Sequence, residues 1–387
     1  MTQSRVTRRA LVQGGVSLAL VGCMDQTGAR RETAGAGLGI KPLDISLDRL
    51  MRVTVCTRPF RPAGPRLEIE TVADKTVVHS YGHGGSGWSL AWGSAEAAAQ
   101  LALAGSPASV AVVGAGAIGL TTATVLQRTG VPTTIYAKEM PAESRSARAT
   151  GTWSPDSRIA MRADASPDFP QLWEALARRS FAAHQHYVGT LGHPVEFSQR
   201  YTIPSDTERR ETEDPDDFLH MDRRIRDLTP RFTDLEPGSH PFPTEATPRH
   251  GPVMTFNIAE YSRRLMGDFL QMGGRIIRTT FNTPAEVAAL PAPVIVNCTG
   301  YGAKTLWQDD SLVPVRGQIG WLTPQPDRLY GVVHENVIAL SRRDGVLIQH
   351  FGENEYYGYG DDSETPDMAE LTMAIGRIAP MFDWSPS

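Results

Sequence analysis

Cysteine is scarce in this chain, with three in 387 residues. If Cys23 belongs to a leader, only Cys56 and Cys298 remain, too few for a disulfide framework and in no metal-ligand spacing. Both read as small buried thiols. An excess of charge is also missing: 38 Lys and Arg against 43 Asp and Glu leave a net −5, which offers no electrostatic footprint for a nucleic acid. After the leader, no apolar run reaches the ~20 residues that a membrane helix needs. No internal repeat of useful length is present. What remains is 41% apolar, ample for a packed globule of one large or two ordinary domains.

The N-terminus differs from the rest. Arg5, Arg8 and Arg9 stand without an acidic neighbour before the apolar stretch 10–20, and Leu20-Val21-Gly22-Cys23 follows. Thr7-Arg8-Arg9-Ala10-Leu11 reads as a twin-arginine export signal, and the last four residues as a lipoprotein box with Cys23 lipidated. A short membrane anchor is the alternative, though the stretch is too short to span comfortably. The expectation is an exported protein, periplasmic or at the cell surface, tied to the membrane by lipid. Residues 24–45, polar and glycine-rich, read as a flexible tether.

Strands are expected at 53–55, 67–69 and 77–80, the first two separated by a Pro-rich turn, and a helix at 94–103. After a polar joint at 105–107, the near-continuous apolar strand 109–113, a helix at 117–129 and a strand at 133–137 make a βαβ start. Further helices are expected at 168–186, 257–272 and 368–378, and an exposed loop at 205–217.

Gly114-Ala115-Gly116-Ala117-Ile118-Gly119 follows an apolar strand and opens a helix. Such glycines permit a tight turn, close approach of a pyrophosphate and close strand–helix packing, while the helix N-terminus favours phosphate. The motif alone fits NAD, NADP and FAD alike. Gly84-Gly85-Ser86-Gly87 precedes a helix-like run from Trp88, and its amides suit negative charge on a flat ring. His79 and His83 have the spacing of a metal pair but no evident third ligand, so both read as structural.

Three blocks taken together, Cys56-Thr57-Arg58-Pro59, the run from Tyr81 to Trp88 and the fingerprint from Val112 to Leu120, resemble the D-amino acid oxidase family. There the fingerprint opens the chain and the Arg-Pro and His-Gly-Gly blocks close it; here the order is reversed. The resemblance therefore implies a circular permutant, with 105–107 as the splice and the cut between the 368–378 helix and the strand at about 48–55. It also implies an α/β fold: a Rossmann-like FAD-binding domain built from discontinuous segments and a second, substrate domain on a mixed or antiparallel β-sheet. On this reading 46–105 is the permuted C-terminal segment and 106–155 the βαβ segment. Residues 156–275 are mainly substrate domain, 276–320 bind FAD again, and 321–387 return to the substrate domain.

The resemblance assigns roles as well. Arg58 would grip the substrate carboxylate through a bidentate fork, with Gly85 and Ser341 at the substrate. FAD would meet the two glycine loops with Trp88 and Ser89, then Lys138 and Glu139 at the second strand's end. Ser144, Arg145, Ser146, Gly151 and Thr152 would wrap its diphosphate, with Phe281, Thr299 and Gly300 completing the set. The family's substrate tyrosines are missing from 337–345; Tyr356, Tyr357 and Tyr359 could line the pocket or the core, and Arg342 or Arg343 could meet an acidic side chain. The implied reaction is oxidation of an amino acid's Cα–N bond, most simply a D-amino acid, with oxygen or another acceptor taking the electrons. A flavin-binding protein without turnover and an NAD(P)-dependent dehydrogenase are the alternatives.

Overall fold

The computed structural model describes residues 38–205 and 217–384. The leader with Cys23, the tether up to residue 37 and most of the 205–217 loop lie outside the described residues.

Val110–Val113 (β4) and Val294–Asn297 (β10) are buried at every position, as central parallel strands covered on both faces must be. They stand side by side in a six-stranded sheet. Its order is Arg66–Val72 (β2), Lys75–Tyr81 (β3), β10, β4, Thr133–Ala137 (β5) and Arg275–Arg278 (β9), all parallel except β2 against β3. Alternation along β4 sends Val110 and Val112 to one face and Ala111 and Val113 to the other. The first face meets Gly87–Leu103 (α1) and Ala117–Arg128 (α2), whose alanines let them lie close to the strands. Phe169–Gln185 (α3) packs on α1 and Ile258–Gln271 (α4) on α2. Pro284–Ala288 (α5) and Ala303–Leu306 (α6) cover the opposite face.

A second sheet runs Leu50–Phe60 (β1), Val313–Leu322 (β11), Gly345–His350 (β14), Val337–Arg342 (β13), Tyr330–His334 (β12), Val195–Thr202 (β6), Arg249–Phe256 (β8) and Thr233–Asp234 (β7). It is antiparallel except between β12 and β6. Val337, Ala339, Val346 and Ile348 on one face pack under Met368–Ile378 (α7). The other face carries Ile319, Ile338 and Gln349 towards a cavity.

Several expectations need correction. β1 does not stop before the Arg-Pro pair but continues through Arg58 and Pro59 to Phe60. It is an edge strand, where a residue without an N–H is tolerated. α1 runs unbroken from Gly87 to Leu103, joining the helix-like run from Trp88 and the helix expected at 94–103 into one element. The span 156–275 is shared between the sheets, since α3 and α4 belong to the helical layer of the first. The tether ends sooner than residue 45. Leu43 and Ile45 are buried with Ile378, Met381 and Phe382, the Tyr330 hydroxyl donates to the Lys41 carbonyl (2.6 Å), and Gln325 brackets Asp44 with two 2.9 Å hydrogen bonds. Two apolar side chains in an otherwise polar stretch close the end of the second core.

Candidate active site

The carboxyl ends of β3, β4, β5, β9 and β10 open onto one cavity of about 760 Å³, roofed by the inner face of the second sheet. Open parallel sheets bind ligands at these ends. At the end of β4, Gly114 has φ 111°, and a Cβ there would run into the Cys298 carbonyl. Ala115, Gly116, Ala117 and Ile118 line the cavity beside it. The Ala117 amide at the start of α2 donates to Ser146 Oγ (3.0 Å), so a neighbouring loop caps the helix. Gly119 faces away from the cavity, its missing Cβ leaving room for the Gly114 carbonyl.

Across the cavity, Gly84 adopts φ 53° and packs its α-carbon on the Arg158 carbonyl, while the Gly85 amide donates to Ser157 O (2.9 Å). Gly84, Gly85, Gly87, Trp88 and Ser89 all line the site. Trp88 is held by its indole N–H on Ser146 O (2.9 Å), and Ser89 Oγ accepts the Ser154 amide (2.9 Å). The 84–89 and 144–154 loops are thereby stitched to each other.

Lys138 and Glu139 line the cavity at the end of β5, with Phe281 next to Tyr136. Ser144, Arg145, Ser146, Gly151 and Thr152 follow along its wall. Arg145 and Arg148 share Glu364 (2.7 and 3.1 Å). At the end of β10, Asn297 Oδ1 accepts both the Thr299 amide and hydroxyl (3.2 and 2.8 Å), which fixes Thr299 and Gly300 at the rim. His79 joins this network through Asn297 (3.0 Å) and Glu70 (2.8 Å), and His83 bonds Ser94 Oγ (2.9 Å).

Arg58 projects from β1 into the same cavity. Its guanidinium lies on the α-carbon of Gly317 in β11, and Nη1 donates to the Arg316 carbonyl (3.2 Å). Among the described residues no carboxylate stands within ion-pair distance of it, and burial pulls its pKa below the usual arginine value. In the same cavity wall, Thr57 Oγ1 and Ser80 Oγ are buried without a hydrogen-bond partner among the described residues.

Several expected site residues lie elsewhere. Ser86 is fully buried and donates to Ser157 O (3.2 Å) outside the cavity. Ser341 is buried, its hydroxyl without a hydrogen-bond partner among the described residues, and it does not reach the cavity. Ile338 points inward on β13, so strand alternation turns Ser341 to the opposite face. Arg342 is consumed by Asp344 (2.7 Å) and two carbonyls, and Arg343 by Glu196 (2.8 Å) at the surface. Tyr356, Tyr357 and Tyr359 do not line the cavity; Tyr356 and Tyr359 form an aromatic cluster with Phe218. Among the lining residues that sequence reasoning missed are Arg158, Gln349 and Arg200, the last from β6.

The cavity suits FAD on its own terms. A dinucleotide needs bare backbone at Gly114, Gly116 and Gly84, where side chains would collide with neighbouring atoms. It also needs the start of α2 at its phosphates and polar wall atoms free to accept partners. The volume lies high in the range of small-molecule sites and exceeds what an amino acid alone requires.

A family model described as FAD dependent oxidoreductase matches residues 109–386. A D-amino-acid oxidase of Dictyostelium discoideum is 24% identical over 279 residues, 70% of this chain and 73% of that protein. Another, of Rubrobacter xylanophilus, is 30% identical over 214 residues, 54% and 57% of the two chains. Among solved structures, iminodiacetate oxidase from Chelativorans sp. BNC1 superimposes with a TM-score of 0.49 at 17% identity, over 71% of this chain and 80% of that one.

Proposed function

Because this chain belongs to the FAD dependent oxidoreductase family, we propose that it oxidises the Cα–N bond of an amino acid, most simply a D-amino acid. The observation that carries this reading is Arg58: a desolvated guanidinium, without a carboxylate partner among the described residues, in the wall of the cavity that the two glycine loops frame. A planar fork in that state suits a substrate α-carboxylate through two parallel hydrogen bonds.

In this account the cavity-lining residues of both glycine loops, with Lys138, Glu139, Ser144, Arg145, Ser146, Thr152, Phe281, Thr299 and Gly300, hold FAD, which when bound supplies the two-electron acceptor. Arg58 fixes the substrate so that its Cα–H faces that acceptor, and positioning supplies most of the catalysis. The amine loses a proton, Cα loses hydride, and the resulting imino acid takes up water to give a 2-oxo acid and ammonia. Dioxygen then receives the two electrons and two protons as hydrogen peroxide. Arg58→Ala should lower kcat/KM by about a hundredfold or more, chiefly through KM, with FAD still bound. Unchanged kinetics would remove the proposed anchor.

We also propose that the chain order is a circular permutation of the family's. The support is threefold: the family match begins only at residue 109, the 56–59 and 84–89 blocks line one cavity with 114–118, and the segments 43–45 and 378–382 pack together. The export signal and lipid at Cys23 stay part of the proposal. A mature chain beginning at a diacylated Cys23, read by mass spectrometry, would support it.

A further inference from the structure

A chain of aromatic side chains leads from the cavity into the core and is unused by everything above. Trp88 lines the cavity, and its indole stacks on Tyr261, with centroids 5.4 Å and planes 25° apart. Tyr261 is fully buried. Trp92 Nε1 lies 2.8 Å and His184 Nδ1 2.7 Å from its hydroxyl, while His184 Nε2 lies 3.0 Å from the Trp88 carbonyl. Burial draws the imidazole pKa down to about 3 and raises that of the phenol well above its usual value, so both groups are neutral at ordinary pH. The contacts then fix each proton. A carbonyl only accepts, so Nε2 carries the hydrogen of the neutral imidazole and Nδ1 is bare. An indole only donates, so Trp92 gives its hydrogen to the Tyr261 oxygen, and the Tyr261 hydroxyl donates to His184 Nδ1.

A phenol bonded to a bare imidazole nitrogen can lose an electron and a proton together. Once oxidised, a phenol is a far stronger acid than imidazolium, so its proton crosses to Nδ1 even though burial makes His184 a weak base. No net charge is then left on the tyrosine ring. The neighbouring rings lack this exit. Trp88 donates to the Ser146 carbonyl, which is no base, and keeps its proton when oxidised. Arg128 lies over the Trp92 ring (4.9 Å) and donates to the Tyr187 hydroxyl (3.0 Å), so a fixed cation disfavours an electron hole on either. Tyr187 would otherwise carry a hole onward, since its ring stands 5.0 Å from that of Tyr261. A hole entering at Trp88 therefore comes to rest on Tyr261.

We propose that Tyr261, with His184 as its base, is a reversible one-electron redox site that collects the hole left on Trp88 by photoexcited FAD. Absorbed blue light turns a bound flavin into a one-electron oxidant, and Trp88 is the one tryptophan among the described residues that line its cavity. One electron passes from Trp88 to the flavin, one from Tyr261 to Trp88, and the Tyr261 proton moves to His184 Nδ1. The flavin ends with one added electron, Tyr261 as a neutral phenoxyl radical and His184 as imidazolium. Return of that electron and that proton restores the starting state, so the excitation is dissipated without damage to the cavity wall. The cycle needs bound FAD and no amino acid turnover.

FAD-loaded protein without substrate, frozen under blue light, provides the test, with radicals read by electron paramagnetic resonance. The wild type should show a tyrosyl signal. Tyr261→Phe should lose it, while its flavin absorption and its rate with any amino acid that the wild type oxidises stay unchanged. His184→Gln can still bond the hydroxyl but cannot hold the proton, so after a flash at room temperature its tyrosyl signal should be weaker and decay sooner. No tyrosyl signal in the wild type, or one that survives in Tyr261→Phe, overturns the proposal. An unchanged lifetime in His184→Gln overturns the part given to His184 as the base. Should Tyr261→Phe fail to bind FAD, the His184→Gln lifetime decides, because Tyr261 is the tyrosine that His184 bonds. If flavin is bound but no amino acid is oxidised, the oxidase reading falls and the radical measurement stands by itself.

Discussion

Arginines of this protein fall into two kinds, and the difference separates scaffold from site. Arg316 is sealed against Glu370 (3.0 Å), with 9% and 8% of the two side chains exposed, and Arg342 is clamped by Asp344. Arg58 and Arg200 are desolvated and lack an acid among the described residues. Removing a paired arginine strands its buried partner, whereas removing an unpaired one leaves nothing behind. Arg316→Met should therefore cost about 3–5 kcal/mol of stability, while Arg58→Met leaves the denaturation midpoint of the apoprotein where it was or raises it. Buried histidines set the acid limit. Burial lowers both His83 and His184 to about 3, below the ordinary unfolded value near 6.5. Their contribution is complete above pH 6.5 and is lost as pH falls towards 3, at about 1.4 kcal/mol per unit for each. Urea unfolding should thus show a loss of about 2 kcal/mol per histidine between pH 6.5 and 5, and His184→Asn should flatten that slope.

Elements with local signals were legible in the sequence, and those decided by neighbours were not. The helix expected at 368–378 is α7 to the residue, since Asp367 caps it by accepting the Ala369 and Glu370 amides and Pro380 follows its end. Asp367→Ala should cost about 1 kcal/mol, measured by thermal denaturation. The strand, glycine turn and helix of 110–128 are equally local in origin. By contrast, the reach of β1 through Pro59 depends on its place at a sheet edge, and a proline there is equally consistent with a strand's end. Ser341 and Arg200 fail for a related reason. Alternation tells which residues share a face, but only the packing of α7 decides which face of the second sheet is covered and which one meets the cavity. Arg200 carries no local signal of its own, and the strand that bears it was not among those expected.

At the scale of the molecule, the account depends on three blocks distant in sequence forming one cavity, and on the ends of the described body lying together. If the order is a permutation, reversing it should be harmless. A chain starting at Ser106, joined from residue 384 through a short glycine-serine linker to residue 42 and ending at Gly105, should fold and bind FAD, read by its visible absorption. A colourless, aggregated product would count against that history. The most direct test of the whole account is anaerobic. Purified protein should carry the visible bands of oxidised flavin, and these should bleach on addition of a turned-over amino acid and return when air is admitted. Protein that binds no FAD, or flavin that stays oxidised before every amino acid in a panel of both configurations, would contradict it.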